Sequence, residues 1–256
     1  MPSVKNKPDT RLPARPADTT GTSGLRRSYQ TGIYDLFIRY NNKLKPRVER
    51  LFNRTGDHGF VKELNEKLNE TQVLTIGAGA PKLVDEHVTR AFKHGKKRAS
   101  DNPRLKRESI IIDSRLSRTD NEMIADLKTR NLNLINQTSE AVKTRIVEII
   151  TDDIRQGKGV NIMVKDIQDN ILNISKARAK TIARTEMAYS YNNALSKTYQ
   201  DAGIEKWQWF SALIDTTCRE CEALHGELRE WDDPQPPLHP NCYCSIYPVV
   251  DREFKR

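Results

Sequence analysis

Four cysteines and one histidine have the residue types and spacing that hold a metal. Cys218-x2-Cys221 is followed by His239-x2-Cys242-x-Cys244, and all four cysteines of the chain lie in this stretch. Zinc takes four thiolate or imidazole ligands in a tetrahedron at about 2.0–2.3 Å. One C-x2-C knuckle supplies two thiolates from a tight turn. A second knuckle, returned by the Pro-rich loop WDDPQPPLHP, supplies the others. Cys218, Cys221 and Cys242 with either His239 or Cys244 complete the set, and His225 is a further candidate. A thiolate-rich, closed set is structural, whereas a catalytic zinc keeps an open position and a carboxylate base nearby. Two disulfides or free thiols are the alternative. In a chain without an export signal, clustered cysteine pairs read as metal ligands first.

Other runs offer less chemistry. GAG at 77–79 has Lys82 where a G-x-G-x-x-G loop needs its third glycine, so a turn before a helix is expected there. His239-Pro240-Asn241 matches one piece of a His-Asn-His nuclease, without a second placed histidine or a general base. Arg184 and Glu186 are two apart on a helix and point to different faces, which fits ion pairs better than an acid–base couple. No catalytic residue is assigned. The stretch 91–107, AFKHGKKRASDNPRLKR, holds Lys93, Lys96, Lys97, Arg98, Arg104, Lys106 and Arg107 against the single acid Asp101. With Gly95, Asn102 and Pro103 it is expected to be a loop, and its charge suits a nucleic-acid backbone.

The elements that must position these groups are mostly helices. Residues 1–24 are rich in Pro, Thr, Ser, Gly and charge and have little to bury, so a disordered or partner-ordered arm is expected. Residues 25–119 form a basic helical region. Apolar spacing of three and four runs from Leu25 to about Asn53, with Pro46 expected to kink or divide the helix, and a short helix follows at Val61, Leu64 and Leu68. Residues 120–203 hold a long helix from about Asn121 to Gln156, stopped by Gly157 and Gly159. Two shorter helices follow, capped by Asn161 and Ser175. Residues 204–256 form a small Cys/His module in which KWQWFSAL and SIYPVV are strands. The fold class is thus a mainly α-helical body with a small α+β C-terminal module, stapled by zinc.

Composition sets the outer limits. The 256 residues carry 43 Lys+Arg against 34 Asp+Glu, a formal net charge of +9. The excess is in front: residues 1–110 hold 23 basic and 12 acidic side chains, residues 111–256 hold 20 and 22. A polyanion or an acidic protein surface is the matching partner, unless the charge only solubilises. Mean hydropathy is −0.72, and no run reaches the ~18 apolar residues of a membrane span. The first thirty residues lack the apolar segment of a secretory signal, so membrane and exported classes are not expected.

The ordered motif set resembles a known family. IARTE (182–186), Ala188, Asn193-Ala194, Gly203-Ile204 and the pair Trp207 and Trp209 come first. D-x-x-C-x-x-C-x-x-L-H-G (215–226) and PPLHPNCYC (236–244) follow in order. Together they resemble the C-terminal domain of the phage Mu F-like minor head proteins, or phage head morphogenesis proteins, over about 120–250. The resemblance implies a low-copy virion protein inside a tailed-phage head, made in the host cytoplasm. It implies association with the portal protein, with other head or scaffold proteins and with phage DNA, in head assembly, packaging or delivery. The family commonly ends H-P-N-C-R-C, and here Tyr243 stands in the Arg position. A zinc-dependent nuclease or a stand-alone DNA-binding protein is the alternative function.

Overall fold

Apolar side chains at helical spacing, broken by few glycines, produce, among the described residues, five α-helices and one π-helical turn before the first strand. The computed structural model describes residues 12, 13 and 18–250, apart from the side chains at 56–59, 61 and 62. The elements are α1 (Ser23–Gln72), a π-helical turn (Val73–Gly77), α2 (Ala78–Ser100), α3 (Pro103–Arg107), α4 (Arg118–Arg155) and α5 (Val160–Asp201). Then come β1 (Lys206–Phe210), α6 (Arg219–Ala223), β2 (Leu228–Arg229) and β3 (Ser245–Val249). The class is the expected one, a mainly helical body with a small sheet at its C-terminal end. The arm at 1–24 falls largely outside the described residues.

Two compact units are assembled from non-consecutive segments: 27–86 with 128–183, and 1–26 with 87–127 and 184–256. The first is helix on helix. A straight α1 would separate Arg47 from Thr71 by about 36 Å, yet Arg47 Nη1 donates to Thr71 Oγ1 at 2.9 Å. The Phe52 and Phe60 rings meet edge-on at 5.2 Å, and Arg54 pairs with Glu63. The chain therefore doubles back between Arg54 and Glu63, and not at Pro46, which α1 absorbs. Buried Leu44, Val48 and Leu51 hold the helix through the proline.

The returning arm packs closely because two glycines let it. A Cβ on Gly79 would lie 2.5 Å from Leu36 Cδ2, and one on Gly32 would collide with Leu83. The expected turn at GAG is accordingly absent: helix continues through 77–79, since packing of the arms outweighs glycine's cost in a helix. On α4, Lys128 pairs with Asp85 at 2.5 Å, and Lys143 donates to Asn69 at 2.7 Å, an antiparallel register. Lys158 bridges Asp153 and Asp166 at the connection to α5, where Gly157 takes a positive φ of 64°. Ser175 caps nothing; it is buried within a continuous α5, and the two expected short helices are one.

The second unit joins the ends of α2 and α5 to the sheet. Its strands are ordered β2-β1-β3, all antiparallel, with Trp207 opposite Pro248 and Trp209 opposite Ile246. Pro248 is tolerated because β3 is an edge strand. Trp207 and Trp209 are fully buried, and one apolar cluster runs from them through Ile246 and Val250 to Tyr191, Leu195 and Tyr199 of α5. The C-terminal module therefore shares its core with a helix. Residues 91–100 are also helical, a correction to the expected loop. Gly95 faces α5, where a Cβ would come within 2.5 Å of the Tyr191 carbonyl. The break comes only at Asn102, whose side chain caps α3 by accepting from Arg104 N.

Candidate metal centre

The first knuckle is made by a helix start. Cys218 is the N-cap of α6, and its Sγ accepts from Cys221 N at 3.3 Å. One turn of helix then presents both sulfurs on the same side. The second knuckle comes back on a loop with a cis Pro236–Pro237 peptide, and Asn241 adopts a left-handed φ of 63° just before Cys242. Asn241 N donates to Thr185 Oγ1 at 3.0 Å, which ties the loop to α5.

Five side chains converge in two triads that share Cys221: Cys218, Cys221 and His239, and then Cys221, Cys242 and Cys244. His239 Nε2 lies 3.2 Å from Cys218 Sγ and 3.3 Å from Cys221 Sγ, and Cys221 Sγ lies 3.7 Å from Cys242 Sγ. A tetrahedral ion with 2.3 Å bonds to sulfur separates two thiolates by about 3.8 Å. The sulfur pair fits that edge, and the imidazole sits slightly inside its own. The cysteines are free thiols, so the disulfide alternative is not realised. His239 Nδ1 faces the Pro240 carbonyl at 2.9 Å. Donation there leaves the Nε2 lone pair for a ligand, the second contact that fixes a metal-binding imidazole.

Electrostatics point the same way. The hydrogen bond from Cys221 N leads in lowering the Cys218 thiol, against burial. Cys242 is lowered to about 3 by hydrogen bonds from Cys221 and then Cys244. Cys221 is pushed strongly up by its hydrogen bonds with Cys242 and then Cys244, and by burial. Cys244 is raised to about 12: its contact with Cys221 lowers it, but Cys242 and burial outweigh that. Burial works against a charged His239, yet the Pro240 carbonyl and the Cys242 and Cys218 sulfurs raise it. Cys221 and Cys244 thus favour an ionised Cys242 and are themselves held protonated beside it, and a bound cation is the group that lets several ionise together. The cluster could hold a metal.

The remaining candidates are distributed differently. His225 lies outside the cluster, because its Nδ1 accepts from Ser211 N at 3.1 Å and its ring packs on Phe210. Among the described residues no carboxylate joins the cysteines and His239. Of the basic stretch, Lys96 and Arg104 must be withdrawn as surface contacts. Lys96 is buried and paired with buried Asp120. Arg104 is 1% exposed, donates to the Pro248 carbonyl at 2.7 Å and lies over the Tyr247 ring. Lys93, Lys97, Arg98, Lys106 and Arg107 are exposed, but Lys97 and Lys106 share Asp101.

Several supporting groups carry no spacing signal. Ser211 Oγ reaches the Cys221 carbonyl and lies 3.3 Å from Cys244 Sγ. Asn192 Nδ2 donates to the Cys244 carbonyl at 3.1 Å. Thr19 Oγ1 donates to the Tyr243 carbonyl, and the Arg26 guanidinium lies 4.4 Å from the Tyr243 ring centroid. Arg184 approaches the same ring at 5.7 Å instead of an acid. Tyr243 thus receives two cations on its ring, contacts that an arginine in its place would repel.

A helical protein with a Cys/His knuckle module docked on its last long helix is the class so defined. Residues 144–247 match the family model described as Phage Mu protein F like protein. The matched segment holds α5, β1, β2, both knuckles and the start of β3, and it is similar to a Phage Mu F-like C-terminal domain, the resemblance the ordered motifs carry. No curated protein and no solved structure matches the chain.

Proposed function

We propose that the protein is a minor structural component of a tailed-phage head, without catalytic activity, bound near the portal vertex inside the head during and after assembly in the host cytoplasm. One observation carries the reading: the family match over 144–247 falls on the segment in which the IARTE helix grips the HPNCYC loop, through Thr185 to Asn241 and Asn192 to Cys244. The two most specific motifs serve each other's structure, which is the expected economy of a binding module. Portal protein, other head proteins and phage DNA are its partners.

The Cys/His centre is read as a structural zinc site. Cys218, Cys221, Cys242 and His239 would hold the ion, with Cys244 beside them engaged by Ser211. A zinc ion there supplies folding energy by cross-linking two loops that bury little apolar surface. A nuclease reading has less support, because among the described residues no carboxylate joins His239 and the cysteines to serve as a general base.

Fractionation of heads tests the assignment. The protein should co-purify with portal protein from procapsids and virions. Its absence from both would overturn the reading.

A further inference from the structure

Helix α1 carries a feature that neither the metal centre nor the family match uses. Arg39, Lys43, Arg47, Arg50 and Arg54 recur at spacings of four, four, three and four, one face of a helix, with Lys45 beside them. Glu49 is the only acid between 39 and 54. The row is about 22 Å long at 1.5 Å per residue. Arg39, Lys43, Lys45, Arg50 and Arg54 are exposed, and Arg47 is about one-quarter exposed.

The row borders a cleft. Where the chain doubles back, Arg47, Arg50, Leu51, Arg54, Lys67 and Glu70 line a space of about 430 Å³. Glu70 is shared by Arg47 at 3.4 Å and Lys67 at 2.9 Å, and Glu63 takes Arg54. These acids offset part of the charge only. Among the described residues, Arg39, Lys43, Lys45 and Arg50 have no acidic partner; Arg50 spends only its Nε, on the Pro46 carbonyl.

The geometry points to a nucleic-acid backbone site on α1, with Arg39, Lys43 and Arg50 as its principal contacts and the cleft as the seat of one phosphate. A straight row of cations suits a polymer of evenly spaced anions, and arginine's fork binds phosphate oxygens two at a time. The stretch at 93–107 offers less, because Lys96 and Arg104 are buried and Asp101 draws on Lys97 and Lys106. No base-reading contact is implied, so binding is to duplex DNA irrespective of sequence. The inference does not depend on where in a particle the protein resides.

The test is fluorescence anisotropy of the full chain with a labelled mixed-sequence DNA duplex across a salt series. Each phosphate neutralised contributes about 0.9 to the slope of log K against log salt. Arg39→Ala, Lys43→Ala and Arg50→Ala combined should therefore reduce the slope by about 2.7, an affinity loss of about 500-fold near 0.1 M salt. All three positions are exposed, and helix content by circular dichroism should be unchanged. Lys97→Ala, Lys106→Ala and Arg107→Ala remove the same net charge and should reduce the slope by less than about 1. Equal slopes for the two triple variants, or no binding by the unaltered protein, would overturn the site. Competition by polyglutamate as strong as by DNA at equal charge would assign the row to an acidic protein instead.

Discussion

Stripping metal from the zinc-loaded protein should loosen the loops of the C-terminal module while its sheet survives. Trp207 and Trp209 are fully buried and continuous with Tyr191, Leu195 and Tyr199 of α5. An aromatic of this size buries about 150–250 Å², which at about 25 cal/mol per Å² is worth roughly 4–6 kcal/mol each. The pair thus contributes on the order of 10 kcal/mol, similar to the ~10–16 kcal/mol of a structural zinc. The strands have that packing; the knuckles at 218–221 and 239–244 depend on the ion. Hydrogen exchange read by mass spectrometry should show protection lost at 215–226 and 236–244 in Cys221→Ser or after chelation, and kept at 206–210 and 245–249. Loss of protection in strands and loops together would refute this division and make the ion the staple of the whole module. Loops that stay protected without metal would refute the centre's structural role.

Thr185→Ala removes the acceptor of Asn241 N; it should cost about 1 kcal/mol and weaken zinc retention in a chelator titration, although no ligand is touched. Lys96→Ala leaves the buried Asp120 carboxylate uncompensated and should cost about 3–5 kcal/mol in denaturant unfolding, against less than about 0.5 for exposed Lys97→Ala. Burial works to raise the Asp120 carboxyl, but hydrogen bonds from Lys96 and Ser117 hold it below its ordinary 3.8. Its contribution is therefore present above pH 3.8 and lost as pH falls through the lowered value, and the acid-unfolding midpoint should rise in Lys96→Met. Gly95→Ala would press a methyl on the Tyr191 carbonyl and should lower stability by about 1–3 kcal/mol, whereas Gly24→Ala meets nothing within 4 Å and should be neutral or better by thermal melts.

Strong local signals were legible in the sequence, and long-range polar ones were not. The strands at 206 and 245, the helix at 118–155 and the knuckles follow from alternation, helical period and cysteine spacing. The convergence of His239 with Cys218 and Cys221 was likewise foreshadowed by residue type alone. Residues 18–22 misled, because a Thr-rich run has no apolar surface to bury. Their hydroxyls instead satisfy one another: Thr20 Oγ1 meets Asp18 at 2.6 Å and Thr22 at 2.7 Å, with Arg26 closing the set. Gly79, Pro46 and Ser175 look like punctuation, yet each lies inside a helix, because close packing outweighs their local cost. Lys96 and Arg104 show the converse: their partners Asp120 and Pro248 are far along the chain and leave no periodic trace.

The bond from Thr19 to the Tyr243 carbonyl closes a span of 224 residues, and it has a bearing on when the protein can finish folding. A ribosome adding about 5–20 residues per second needs roughly 10–45 s to travel that distance. Throughout that interval the segment at 18–26 has no C-terminal loop to dock against, while the hairpin of α1 can already form from neighbouring sequence. The unit containing the metal centre is thus the last to close during synthesis. A chain cut short before Tyr243 would leave the Thr19 hydroxyl without its distant acceptor, while Arg26 would keep Asp18 and Thr20 and lose only the Tyr243 ring.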